Sequence, residues 1–286
     1  MPARPPLPCP PAGRTTQGMN TTPASETSTD IAAHLDWFTA YAAQERAKEQ
    51  GDASPLDLKF THTLAVLANA RRMAEDEDFP PPLPRACLLA ALYHDVGRFE
   101  QFLRHHTFRD RESCNHGQLG VRVLKKERCL ASESPAVRRL VQAAVGMHNR
   151  FALPARTPDD VALTTNVVRD ADKLDILRVM DEHLSGPGPY NPTVVLQQPD
   201  DRTIAGEGVL AAVREQRVAA YADLRCVNDF RLLLATWFYD LHFAASRRQF
   251  LEDGHALSLL RGLPDGTPQA PLRDLMLRRL AEAEQG

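Results

Sequence analysis

Apolar side chains in this chain return every three or four residues, a spacing that suits helices packed on helices. Behind a Thr29/Asp30 cap, Ile31, Leu35, Phe38 and Tyr41 form the first such stripe. Similar stripes follow at roughly 56–75, 84–104, 117–130, 135–149, 159–184, 209–224, 226–251 and 270–284. Pro80-Pro81-Pro82, Ser132 to Pro135 and Pro154 to Pro158 interrupt them as helix breakers do. No period-two alternation of strand type intervenes, so the expected fold is all-α. The Gly/Pro-rich stretch 185–208 reads as a long loop, a lid or an interface. The first 28 residues are rich in Pro, Ser and Thr with almost no large apolar side chains, and they are expected to be disordered. Met19 within them is an alternative start to Met1. Residues 29–286 then read as one helical domain.

The balance of charge narrows the partners. Against 34 Lys and Arg stand 37 Asp and Glu, a net charge of −3 with no long basic block. A nucleic acid or an anionic membrane is therefore not the expected partner, and a small molecule is. The five cysteines are scattered, with no CxxC pair, which suits a reducing compartment. No segment has the length of a membrane span or the apolar core of a signal peptide, so the expected location is the cytoplasm.

Chemistry concentrates where histidines and carboxylates interrupt apolar helices. His94-Asp95 lies in LLAALYHDVGRFEQF, where both groups are costly to bury without a partner such as a cation. His62 shares a helical face with Val66 and Asn69 in LKFTHTLAVLANA. Asp170, Asp172 and Asp175 lie in another apolar helix, NVVRDADKLDIL. Imidazoles and carboxylates together suit a transition-metal or magnesium-like ion. A single histidine on such a helix is more often a hydrogen-bonded core residue.

These residues resemble the HD-domain metal-dependent phosphohydrolases, whose signature is a His, a His-Asp dyad and a distant Asp. The resemblance runs over roughly residues 30–250, with HDVGR and RDADKLD its most specific parts. It implies His62, His94, Asp95 and Asp172 as metal ligands, the last because ADKLD looks like the family's closing motif. Asp170 then supports the ligands from outside the set. His116 in SCNHGQLGVRVL and His148 in VQAAVGMHNR match the extra histidines of the family's two-metal subset. On that resemblance, a second ion is held by His116, His148 and a bridging oxygen of Asp95. Two divalent ions per chain are implied, with Mn, Fe, Mg, Ni and Co equally open. The other six histidines read as solvated or structural.

Arg98, one turn beyond the dyad, could reach a phosphate oxygen or pair with Glu100 or Asp170. Lys173 could clamp an anionic substrate or pair with Asp170, and Asn149 is a further polar candidate for substrate binding. Phe99, Phe102 and Phe108 read first as core, as do Trp237, Phe238 and Tyr239, while Asp240 could face a cleft. The resemblance implies hydrolysis of a phosphate ester or anhydride in a small phosphorylated substrate by a metal-activated hydroxide, with Asp95, Arg98 and Lys173 as catalytic groups. The chain has neither a GxxxxGK[ST] loop nor a GxSxG elbow. Two alternatives share the ligand set: an HD-fold di-iron oxygenase, and a non-catalytic nucleotide-binding HD module, although no ligand is missing here.

Overall fold

The computed structural model describes residues 28–186, 188–190 and 194–285. The leader expected to be disordered lies outside these residues apart from Ser28, and so does Met19. Every regular element among the described residues is helical, as the apolar spacing predicts. The chain divides into two compact units after Asp172, inside its longest helix.

The first unit holds α1 (Ala32–Arg46), α2 (Ser54–Asp76), α3 (Leu83–Tyr93), α4 (Val96–His105), α5 (His116–Lys126), α6 (Pro135–Met147) and the start of α7 (Asp159–Leu184). Helix α3, LPRACLLAALY, has no polar face, and such a helix is stable only when surrounded. It is buried from Arg85 to Tyr93, with α1, α2 and α6 packed against it. Burial of Leu88, Leu89 and Leu92 contributes about 1.5–3 kcal/mol each. Its one charge is satisfied: Arg85 donates to both Glu133 oxygens at 2.7 and 2.8 Å and to the carbonyl of Asp30 at 2.7 Å. Glu133 also meets His34, whose other ring nitrogen meets the Tyr93 hydroxyl. His34 is thus structural, a buried clip between α1 and α3.

One predicted helix is two. The stripe at 84–104 breaks at His94 and Asp95, and Asp95 caps α4 with φ −101° and ψ 13°. Neighbours on a continuous helix point about 100° apart. The break lets these consecutive side chains turn toward one place.

In the second unit, the remainder of α7 is joined by α8 (Glu207–Arg214), α9 (Val227–Thr236), α10 (Ala244–Asp253), α11 (His255–Arg261) and α12 (Ala270–Gln285). All ten residues of α9 are buried, with α8, α11 and α12 against it. Its buried charges have partners: Asp229 accepts from Gly206 N, Arg225 N and Gln269, and Arg231 donates to Leu184 O and the Tyr190 hydroxyl. The helix expected over 226–251 is interrupted by a 3-10 turn at Trp237–Asp240 and an extended Leu241. Trp237, Phe238 and Tyr239 are consecutive, so no single helical face can bury all three. Helix α11 has no counterpart among the predicted stripes. No helix among the described residues is long and apolar enough to cross a membrane.

Candidate metal centre

The six residues singled out as ligands all belong to the first unit and converge there. His62 is on α2, His94 and Asp95 form the α3–α4 break, His116 opens α5, His148 caps the end of α6, and Asp172 is on α7. Local sequence fixes these positions. The Asn115 side chain accepts from Gln118 N and so starts α5 at His116. Ser134 caps α6 ahead of Pro135, and that helix runs out at His148. Asn69, two turns beyond His62, donates to Ala171 O at 3.2 Å and holds α2 against α7 beside Asp172.

The donors fall into two groups, His62, His94 and Asp172, and Asp95, His116 and His148, one donor atom from each residue lying within 4.8 Å of the others in its group. Asp95 faces both. Its Oδ2 is 3.8 Å from His62 Nε2 and 3.6 Å from His94 Nε2. Its Oδ1 is 3.4 Å from His116 Nε2 and 3.7 Å from His148 Nε2. Asp172 Oδ1 closes the first group at 3.0 Å from His62 Nε2 and 3.8 Å from His94 Nε2.

The imidazole tautomers follow from their outer nitrogens. His94 Nδ1 lies 2.8 Å from Ala91 O, and His148 Nδ1 lies 2.9 Å from Val145 O. A carbonyl only accepts, so each Nδ1 carries a proton, and the lone pair that either ring can offer a metal is on Nε2, facing inward. His116 Nδ1 is likewise 2.8 Å from both oxygens of Asp110. Burial pushes His94 down to about 4 against the pull of Asp95 and Asp172, and burial with the Arg98 charge pushes His116 down to about 3. Both are therefore neutral at pH 7. Burial would raise the Asp95 carboxyl, but Lys59, His94 and Arg98 hold it well below the ordinary carboxylate range. Asp172 is also held low, burial being outweighed by its hydrogen bond to His62.

This donor set fits a metal. His116 Nε2 and His148 Nε2 are 3.0 Å apart, and two lone pairs at that distance repel unless a cation lies between or beside them. His94 Nε2 is buried without a hydrogen-bond partner, which costs about 1–3 kcal/mol if nothing binds it. Ligands about 2.1 Å from an ion stand about 3.0–3.4 Å from one another, close to the spacings here.

Two residues at the centre escaped the sequence reading. Lys59, one turn before His62, places its ammonium 2.7 Å from Asp95 Oδ2 and 5.5 Å from the centre of the Phe108 ring. Asp110, in a 3-10 turn between α4 and α5, accepts from His116, Arg98, Gln101 and Asn149. Lys59 was detectable as an i,i+3 partner of His62, whereas nothing in the sequence ties Asp110 to His116. Arg98 pairs with Asp95 at 3.4 Å and Asp110 at 3.1 Å, in place of the expected Glu100 or Asp170, and Glu100 pairs with Arg104. Lys173 sets its ammonium 2.5 Å from Asp240 Oδ2. Asn149 donates to Asp110 at 3.0 Å. Phe99 and Phe102 are core, as expected, while Phe108 is half-buried under Lys59 and Arg98. The Cys87 and Cys226 thiols, pushed by burial up to about 12 and about 11, take no part.

No curated protein and no solved structure gives a match to the chain. The family model of the HD domain does, over residues 60–177, a span that contains all six converging side chains. Order, burial and mutual geometry of those residues agree with that match, so residues 60–177 are similar to the HD domain, the domain of a superfamily of metal-dependent hydrolases.

Proposed function

We propose that the centre is a two-metal site at which a small phosphorylated substrate, a phosphate ester or anhydride, is hydrolysed. The observation that carries this is Asp95: its two oxygens face separate donor groups, the arrangement of a carboxylate that bridges two cations. One ion would be held by His62, His94, Asp95 and Asp172, the other by His116, His148 and Asp95. Divalent ions bound there supply an acidified water and neutralise charge on the attacked phosphoryl group.

The chain's own groups serve the same chemistry. His94 and His116, kept neutral, offer lone pairs without first losing a proton. Lys59 keeps Asp95 ionised; among the described residues one of its three N–H donors meets a protein acceptor, and its 17% exposure leaves the ammonium within reach of a phosphate oxygen. Arg98 commits Nη1 to Gln101, Phe108 O and Asp110, which fixes the guanidinium plane and leaves Nη2 for an anion. Phe108, beneath both cations, keeps them close together.

The test is to strip the protein with a chelator, reload it with manganese, magnesium, iron, nickel or cobalt, and screen phosphomonoesters, nucleotides and cyclic nucleotides. Metal-dependent release of phosphate, lost in Asp95→Ala, is expected. Hydrolysis that survives in Asp95→Ala sinks the proposal. Oxygen consumption by the iron-loaded protein without phosphate release would replace it with the oxygenase reading.

A further inference from the structure

The four histidines of the centre are not supported alike, and helix geometry explains the difference. His94 and His148 each follow the last residue of a helix, where the carbonyl three positions earlier is within reach of Nδ1; Ala91 O and Val145 O serve them. His116 is the first residue of α5 and has no helical carbonyl behind it. A side chain must do that work, and Asp110 does.

Asp110 is unusually well fixed for a residue in a short turn. Its Oδ1 accepts from Arg98 Nη1 at 3.1 Å and Gln101 Nε2 at 3.0 Å, and its Oδ2 accepts from Asn149 Nδ2 at 3.0 Å. Gln101, fully buried on α4, also donates to Ser113 Oγ and Cys114 O, and Arg98 donates to Phe108 O. The segment from Phe108 to Cys114 is thus laced to α4 on both sides of Asp110. Asn149 adjoins His148, so the carboxylate that orients one imidazole of the second donor group is also tied to the residue beside the other.

We propose that Asp110 is the positioning residue of the second donor group: by accepting the hydrogen bond from His116 Nδ1–H it aims the Nε2 lone pair inward, and so selectively sets the affinity for the ion held by Asp95, His116 and His148. This rests on the two-metal reading. Among the described residues, the partners of the Asp110 side chain, His116, Arg98, Gln101 and Asn149, lie outside the first donor group, whose ion is expected to be unaffected. An amide at this position can donate to Nδ1 as readily as accept from it. Asp110→Asn therefore lets His116 adopt the tautomer whose proton sits on Nε2, where no metal can bind.

The experiment is titration of the chelator-stripped full chain with Mn2+, read by calorimetry and by bound-metal analysis. Wild type is expected to bind two ions. Asp110→Asn is expected to weaken one of them by about 10–100-fold, the usual cost of losing such an outer partner, and to leave the other within about threefold. Asp110→Glu, which keeps a carboxylate, should recover much of the loss. A merely structural role would not produce the last signature: Asp110→Asn added to His116→Ala should weaken the second ion no further than His116→Ala does alone. Wild type that binds a single ion overturns the two-metal reading itself. Wild type that binds two, with Asp110→Asn also binding two at unchanged affinity, overturns the role of Asp110 alone, as does additivity in the double variant. Thermal unfolding of each variant checks folding; if Asp110→Asn does not fold, Asp110→Ser, which removes the carboxylate, carries the comparison, and unchanged affinity for both ions in it overturns the role.

Discussion

Gly97 is where the two helices flanking the second donor group touch backbone to backbone, and Gly97→Ala makes their separation measurable. A Cβ at this position would lie 2.4 Å from His116 O and 2.6 Å from Gly120 N. Both neighbours are backbone, so no side chain can rotate aside. Bringing the closer contact out to 3.0 Å requires a shift of about 0.6 Å between the start of α4 and the start of α5. Overpacking of this kind costs about 1–3 kcal/mol, and each kcal/mol lowers Tm by about 2–4 °C in a chain of this size. The displacement falls on His116, while metal–ligand distances tolerate only about 0.2 Å. Gly97→Ala is therefore expected to lower Tm and to weaken the ion held by Asp95, His116 and His148, leaving the one held by His62, His94 and Asp172. Differential scanning calorimetry and Mn2+ titration of the stripped protein measure the two effects. Gly186→Ala is the control, because nothing lies within 4 Å of a Cβ there. Wild-type Tm together with two ions at wild-type affinity would refute the claim that this contact sets the position of His116.

Other perturbations separate the remaining interactions. Burial would raise Glu133, yet hydrogen bonds from Arg85 and His34 push its carboxyl down to about 2. A folded-state value below the unfolded one stabilises above pH 4.5 and is lost as pH falls toward 2, so between these pH values urea unfolding of the wild type should lose about 3 kcal/mol more than that of Glu133→Gln. Lys59→Met should unfold at lower temperature without metal, because it leaves buried Asp95 short of a partner, and should bind Mn2+ about tenfold more tightly, since about 1.4 kcal/mol of competing attraction is gone. Weaker Mn2+ binding in calorimetry would contradict this. Asp95→Asn, close to isosteric, should lose high-affinity binding of both ions while the apo protein stays folded by circular dichroism; retention of one ion at wild-type affinity would show that the carboxylate serves a single group.

The readable parts of this protein are those written in local periodicity. Helices α1, α2, α6 and α7 follow their apolar stripes to within a few residues, because their burial is set by one continuous face. Helix α3 is apolar all round, so its pattern carries no end signal, and the stop at His94 was invisible although the dyad itself stood out. The boundary between the compact units was hidden for a related reason: it falls inside α7, between Asp172 and Lys173, where the stripe runs on without a breaker. Among the site residues, His62, His94 and Asp95 were legible as polar groups on apolar faces, whereas His116, His148 and Asp172 were legible through the family resemblance. Asp110 stands among Arg109, Arg111 and Glu112 in a polar turn where another carboxylate is unremarkable, and only the folded chain brings it to His116.

Charge explains why such a cluster can sit inside an apolar fold and what it does when loaded. Asp95, Asp110 and Asp172 all stay ionised because neighbours outweigh their burial, while His94 and His116 stay neutral because burial outweighs their neighbours. Asp95, Asp110 and Asp172 set against the facing cations Lys59 and Arg98 sum to about one negative charge. Two divalent ions would leave this sum about three positive, inverting the local field inside a chain whose formal net charge is −3. On the proposed reading, the carboxylates that would repel a phosphate in the metal-free protein would, through the ions they hold, become the reason that it binds. Lys59, reaching from α2, compensates Asp95 and would keep donors for the anion when a metal is bound.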